Sequence, residues 1–162
     1  MDEVTIYTDG GCIGNPGPGG YGVVLKSGGK RQELSGGYRL TTNNRMELMA
    51  AIVGLRSLKT PSKVTLYSDS RYLVDAVMKG WARRWQANGW MRNKKEAALN
   101  PDLWTELLNL CRRHEITFKW VKGHAGHKEN ERCDQLSTQS ARQKGLPEDP
   151  GYGQKGPLTL FD

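Results

Sequence analysis

The chain has 162 residues, 36% of them hydrophobic, and a formal net charge of +7, a size that fits one domain with a real core. The absence of a long apolar run and of a charged-then-apolar N-terminus argues against a membrane span or secretion. It points to the cytosol, where three cysteines (Cys12, Cys111, Cys133) with no disulfide or metal-ribbon spacing stay reduced. The positive excess favours a polyanionic partner, most often a nucleic acid.

In chain order, residues 4–8 read as a strand rich in β-branched and aromatic residues. "GGCIGNPGPGG" (10–20) reads as a turn cluster, 21–26 as a second strand, "SGGK" (27–30) as a hairpin turn and 31–40 as a third strand. A helix over 43–58 follows, with Thr42 or Asn43 as its cap. Residues 64–68 form the next strand and 70–78 a short helix, after which a basic, Trp-rich helix is predicted. Asn100-Pro101-Asp102 starts another helix that runs to about residue 113: a cap, a first-turn proline and an acid. Residues 116–121 form the last strand, and 130–143 the last helix. The order βββαβαααβα is that of an α/β layer fold: an antiparallel meander, then strands joined by parallel crossovers. Residues 1–143 are the expected domain. The Gly/Pro-rich residues 144–162 are the expected tail, flexible or docked on the domain.

Two strands repeat one pattern: "VTIYTDG" (4–10) and "VTLYSDS" (64–70). Alternation puts Thr5, Tyr7 and Asp9 on one face, and Thr65, Tyr67 and Asp69 on one face. If the strands are parallel neighbours in matching register, Asp9 and Asp69 stand side by side at the carboxyl ends, about 4.8 Å apart, where open α/β sheets bind ligands. Two such carboxylates repel by roughly 4 kcal/mol at 4 Å and an effective dielectric of 20. A shared proton, a basic residue or a divalent cation must offset that, and an all-oxygen site suits Mg²⁺ or Mn²⁺. The plainer reading is two unrelated strand-end aspartates; the repetition favours the pair.

Glu47 sits near the start of the 43–58 helix, on a stripe with Ala50, Ala51 and Gly54 that lets the helix lie close on the sheet. The helix N-terminus favours its ionised form. Asp134 shares a stripe with Ser137 and Ala141 on the last helix. In "VKGHAGHKENERCD" (121–134) a zinc site of His124, His127 and Cys133 has the wrong spacing. His124, on a glycine-flanked loop, suits proton transfer instead, whereas His127 reads as a surface residue.

"YTDGGCIGNPGPGGYG", "TTNNRMELMAAIVGL", "YSDSRYL" and "WVKGHAGHKENERCDQL", in this order, resemble the bacterial type 1 ribonucleases H over residues 4–143. The resemblance implies the ribonuclease H-like fold: a five-stranded mixed sheet, three strands antiparallel and then two parallel, flanked by helices, with a basic protrusion. It implies two Mg²⁺ ions, with Mn²⁺ a possible substitute, held by Asp9, Glu47, Asp69 and Asp134. It further implies hydrolysis of the RNA strand of an RNA–DNA hybrid to 5′-phosphate and 3′-hydroxyl ends. Asp9 would bridge the ions, Glu47 would orient the water, and His124 would move protons or help release product. Cys12, Asn15, Asn44 and Glu47 would face the RNA strand. Thr42, Arg71 and Asn100 resemble a phosphate pocket on the DNA side, and Trp81 resembles a DNA-facing tryptophan. Arg83, Arg84, Lys94 and Lys95 belong to the basic stretch "KGWARRWQANGWMRNKKE" (79–96), which would grip the DNA strand. At least one of Trp81 and Trp85 would be core, and Trp104 may be read as structural.

The resemblance implies a monomer. The end "PLTLFD" resembles a sliding-clamp peptide without its glutamine. Residues Leu158 to Phe161 could add to the chain's own sheet or make a weak partner contact. A strand-transfer enzyme of the same fold is one rival function. A catalytically silent hybrid-binding module is another, and it would need a missing carboxylate.

Overall fold

The computed structural model describes residues 1–123 and 126–152. Strands β1 (Asp2–Cys12), β2 (Gly17–Ser27) and β3 (Lys30–Thr41) form the antiparallel meander. Helix α1 (Asn43–Arg56) crosses to β4 (Ser62–Ser68), which pairs in parallel with β1. Helices α2 (Arg71–Met78), α3 (Trp81–Ala87) and α4 (Pro101–Arg113) lead to β5 (Glu115–Trp120), parallel to β4. Helix α5 (Lys128–Ala141) is the last helix. The five-stranded sheet has the order β3-β2-β1-β4-β5, the mixed sheet expected from the sequence.

The glycine cluster at 10–20 is mostly strand rather than turn. Gly10 pairs with Tyr21 and Cys12 with Gly19, leaving only residues 13–16 to reverse the chain. Composition misled here because these glycines serve packing. A Cβ on Gly10 would stand 2.3 Å from the Met46 carbonyl carbon, and one on Gly20 would stand 2.1 Å from the Ser137 carbonyl oxygen. Strand glycines with another backbone this close are the usual exception to low β-propensity. They let α1 and α5 rest directly on the sheet.

The two helices take opposite faces. Ala50, Ala51, Ile52 and Leu55 of α1 are fully buried in the main core with Ile6, Val23 and Leu66, together with α2 and α4. On the α5 side, Val24, Cys133 and Leu136 form a smaller cluster against Tyr7. Two charge ladders fasten α5 to the meander. Glu129 accepts from Arg31 at 2.9 and 3.0 Å and pairs with Lys26 at 2.8 Å, while Arg132 forks onto Glu33 at 2.8 and 3.0 Å.

The 79–96 stretch is only partly helical. Trp90 takes φ 65° after α3 ends, and Met91 bridges to Ala97. Trp81 and Trp85 are both half-buried; the fully buried indole is Trp104, which donates to the Tyr72 hydroxyl at 3.1 Å and packs edge-on against Trp85. Asn100 occupies the N-cap position of α4 as the sequence suggests, but its side chain does not cap the helix. It adopts φ 60° and makes no capping bond, because Arg45 takes its side-chain oxygen. Residues 144–152 run back along the domain. The Arg39 amide donates to the Pro147 carbonyl at 2.8 Å, and the Asp149 carboxylate is buried. The tail call on Leu158 to Phe161 lies outside the described residues.

Candidate active site

The matched strands meet as their sequences propose. Tyr7 is opposite Tyr67 in the β1–β4 register, and their rings stack at 5.2 Å. Two residues further on, that register brings Asp9 and Asp69 together at the carboxyl ends. Ser70 caps α2 by accepting from the Leu73 amide at 3.1 Å, so the chain turns away immediately after Asp69. The Trp120 indole donates to the Asp69 carbonyl at 3.1 Å, and the Arg71 guanidinium stacks on the same indole at 4.0 Å.

Glu47 arrives from α1. Thr42 caps this helix by accepting from the Arg45 amide at 3.2 Å. With α1 seated on Gly10, the Glu47 carboxylate accepts from the Gly10 amide at 2.9 Å and from the Ser68 hydroxyl at 3.2 Å. One oxygen from each of Asp9, Glu47 and Asp69 lies within 4.8 Å of the others. Asp134, half-buried on α5, adds its charge from the other face. Gly123 lies against Asp69, while His124 itself lies outside the described residues. His127 is exposed.

Burial, then the charge of Asp69, push the Asp9 carboxyl up to about 7. Burial, and then Asp9 and Asp69, push Glu47 well above the carboxylate range. The helix-terminus argument for an ionised Glu47 therefore fails: it is fully inside the protein one turn past the cap, and desolvation outweighs a dipole effect that fades within a turn. With no cation bound, burial and the neighbouring carboxylates disfavour the ionised form of Glu47. Three carboxylate oxygens at this spacing fit a hard divalent cation, which would offset their mutual repulsion.

The loop at 13–16 is tied to the start of α1. The Cys12 amide donates to Asn43 Oδ1 at 2.8 Å, and the Asn43 amide donates to Asn15 Oδ1 at 3.1 Å. Cys12 and Asn15 are thus joined through Asn43, a residue that sequence reasoning read only as a helix cap, and the neighbouring Asn44 is exposed. On the far side of α1, Thr42 and Asn100 both bond to Arg45. In the protrusion, Trp81 and Arg84 line a groove of about 360 Å³ with Tyr72, Trp85, Asn88 and Arg92. Arg83 points into a different cleft, with Lys79 and Phe118. Lys94 and Lys95 are exposed beyond it.

A sheet of this order with acids from β1, β4 and α1 gathered at its carboxyl end, beside a basic protrusion, defines a polynucleotide-cleaving hydrolase. The RNase H family model matches residues 1–142. A ribonuclease H of Syntrophus aciditrophicus is 69% identical over 93% of this chain and 87% of its own length. One of Trichodesmium erythraeum is 65% identical over 93% and 96%. Among solved structures, LC9-RNase H1, a type 1 RNase H with the type 2 active-site motif, superposes with a TM-score of 0.77 at 35% identity, covering 87% of this chain and 72% of that one. LC11-RNase H1, solved in complex with an RNA/DNA hybrid, gives 0.66 at 26% identity, over 85% and 96%. The chain belongs to the RNase H family and is an endoribonuclease.

Proposed function

We propose that the chain hydrolyses the RNA strand of RNA–DNA hybrids at Asp9, Glu47, Asp69 and Asp134 with Mg²⁺, leaving 5′-phosphate and 3′-hydroxyl ends. Mn²⁺ is a workable substitute. The observation that carries this reading is the convergence of Asp9, Glu47 and Asp69 within 4.8 Å. Asp9, Glu47, Asp69 and Asp134 would hold the divalent cations, whose chemistry there would be activation of a water and charge stabilisation of the leaving 3′-oxygen.

The chain's own residues position and discriminate. Glu47 is fixed by Gly10 and Ser68, so its free edge has one orientation toward the attacked phosphate. Asp9, flanked by Asp69 and Glu47 and facing the charge of Asp134, is the centre of the cluster. His124, the next residue in sequence after Gly123, serves proton transfer or product release. Cys12, Asn15 and Asn44 read the 2′-hydroxyls of the RNA strand from the shallow minor groove. Thr42, Asn100 and Arg71 take DNA-strand phosphates, and Trp81 with the basic residues of the protrusion holds the same strand. The hybrid complex of LC11-RNase H1 supports this choice of substrate.

Cleavage of labelled hybrid, double-stranded RNA and double-stranded DNA, each with Mg²⁺, Mn²⁺ or EDTA, tests the reading. Only the hybrid should be cut, and only with metal. Asp9→Asn should stop turnover yet still bind hybrid; turnover near the wild-type rate would refute the site.

A further inference from the structure

Behind the two polar groups placed on the DNA side stands a buried arginine. Arg45 is 3% exposed. Its guanidinium forks onto Asp149 at 2.6 and 3.0 Å and onto Asp102 at 2.7 and 2.9 Å. The remaining bond runs from Nη1 to Asn100 Oδ1 at 3.2 Å. Asp149 is itself held by the Thr41 hydroxyl at 2.7 Å and the Gly151 amide at 3.2 Å. The arginine therefore sits in a fixed frame, one side of which is the C-terminal segment.

A guanidinium has only donors. Asn100 must turn its carbonyl oxygen to Arg45, which leaves the two Nδ2 hydrogens as what it can offer a ligand. Thr42 differs: its oxygen accepts from the Arg45 main-chain amide at 3.2 Å, a bond that any side chain at this position would leave in place, and its hydroxyl keeps both a hydrogen and a lone pair. The guanidinium therefore sets the polarity of Asn100 alone. Asn100 is half-buried rather than covered. A phosphate accepts only, so an amide free to flip would present a repelling oxygen part of the time. Asn100 keeps φ 60°, which asparagine tolerates better than other side chains do, with no capping bond to hold it there. Arg45 is its one side-chain partner among the described residues.

We propose that Arg45, clamped by Asp149, is a positioning residue for DNA-strand binding that turns the Asn100 amide so that its Nδ2 donates to one phosphate. The inference rests on the reading of Asn100 as a DNA-side group. It makes the 144–152 segment part of the substrate grip, although that segment lies outside the family match.

The test replaces single DNA-strand phosphates of a hybrid with neutral methylphosphonates and reads the ratio of KM values, modified over unmodified. In the wild type one linkage should raise KM about tenfold, the size of a lost charge-assisted bond. Asn100→Ala should bring that ratio to about one. Arg45→Lys and the near-isosteric Asp149→Asn should do the same, with near-UV circular dichroism confirming the fold at the assay temperature. A second readout needs no substrate: the Asn100 side-chain amide resonances of the free protein should move in Asp149→Asn. Folded Arg45→Lys and Asp149→Asn proteins that keep the tenfold ratio would overturn the inference and leave the DNA-side reading standing. If Asn100→Ala keeps the ratio, the DNA-side reading fails and the inference with it. Should Arg45→Lys not fold, Asp149→Asn and Thr41→Val decide between these outcomes.

Discussion

The Glu47 carboxylate accepts from the Gly10 amide at 2.9 Å, so the residue after one acid holds another. This bond exists because α1 rests on Gly10 with no side chain between them. Gly10→Ala would put a methyl group 2.3 Å from the Met46 carbonyl carbon, against backbone that cannot rotate away. The expected cost is about 3 kcal/mol in urea unfolding. Turnover should fall about 100-fold, because Glu47 is displaced by an ångström or so. Wild-type stability and rate in this variant would show that the helix does not depend on the contact.

Neutralising one acid should stabilise the metal-free protein. Asp9 titrates near 7 in the folded chain and near its ordinary 3.8 when unfolded. Between those values the folded state binds more protons, so stability falls as pH rises through this window. In EDTA, Asp9→Asn should therefore be more stable than the wild type at pH 8, by on the order of 2 kcal/mol. The advantage should shrink toward pH 5 and shrink again on adding Mg²⁺. Chemical denaturation at both pH values, with and without metal, measures it. An advantage of equal size at pH 5 and pH 8 would contradict the proposed repulsion.

Glu129 carries the opposite sign. Its bonds to Arg31 and Lys26, working against burial, lower its carboxyl from 4.5 to about 2. Here the unfolded chain binds more protons, so the contribution is complete above about 4.5 and is lost as pH falls toward 2. Glu129→Gln should be less stable than the wild type at pH 6, and the gap between the two unfolding curves should shrink steadily as pH falls from 4.5 toward 2. A gap that is constant with pH would mean that packing, not charge, ties α5 to β2 and β3.

Neighbouring arginines of the protrusion should differ. Arg84 shares the groove of Trp81, Trp85 and Arg92, whereas Arg83 turns about 100° away around α3. Arg84→Gln should lower the slope of log Kd against log salt by about 0.9, the effect of one phosphate contact. Arg83→Gln should leave it nearly unchanged. Equal effects in a filter-binding salt titration with hybrid would place both residues in a diffuse field instead of one groove.

How much of this was legible before folding varies by residue. Asp9 and Asp69 announce themselves because strand alternation has period two and the same phrase occurs twice. Glu47 was legible through the small residues on its stripe; Asp134, on a similar stripe, reads by itself as an ordinary helix acid. Asn43 was visible only as a helix cap, a duty that Thr42 performs. The orientation of the Asn100 amide had no local signal at all, since it depends on Arg45, 55 residues away in sequence.

The sequence by itself determined which chemical groups this protein carries: acids at two strand ends and on small-residue helix stripes, and an excess of positive charge. Those properties are local, fixed by side-chain type and by the periodicity of the backbone. Tertiary structure alone decided the gathering of Asp9, Glu47 and Asp69, the direction of α3's arginines and the burial of Asp149 against Arg45. Each of these depends on distance and desolvation between residues far apart in the chain, and neither quantity exists until the sheet and helices pack.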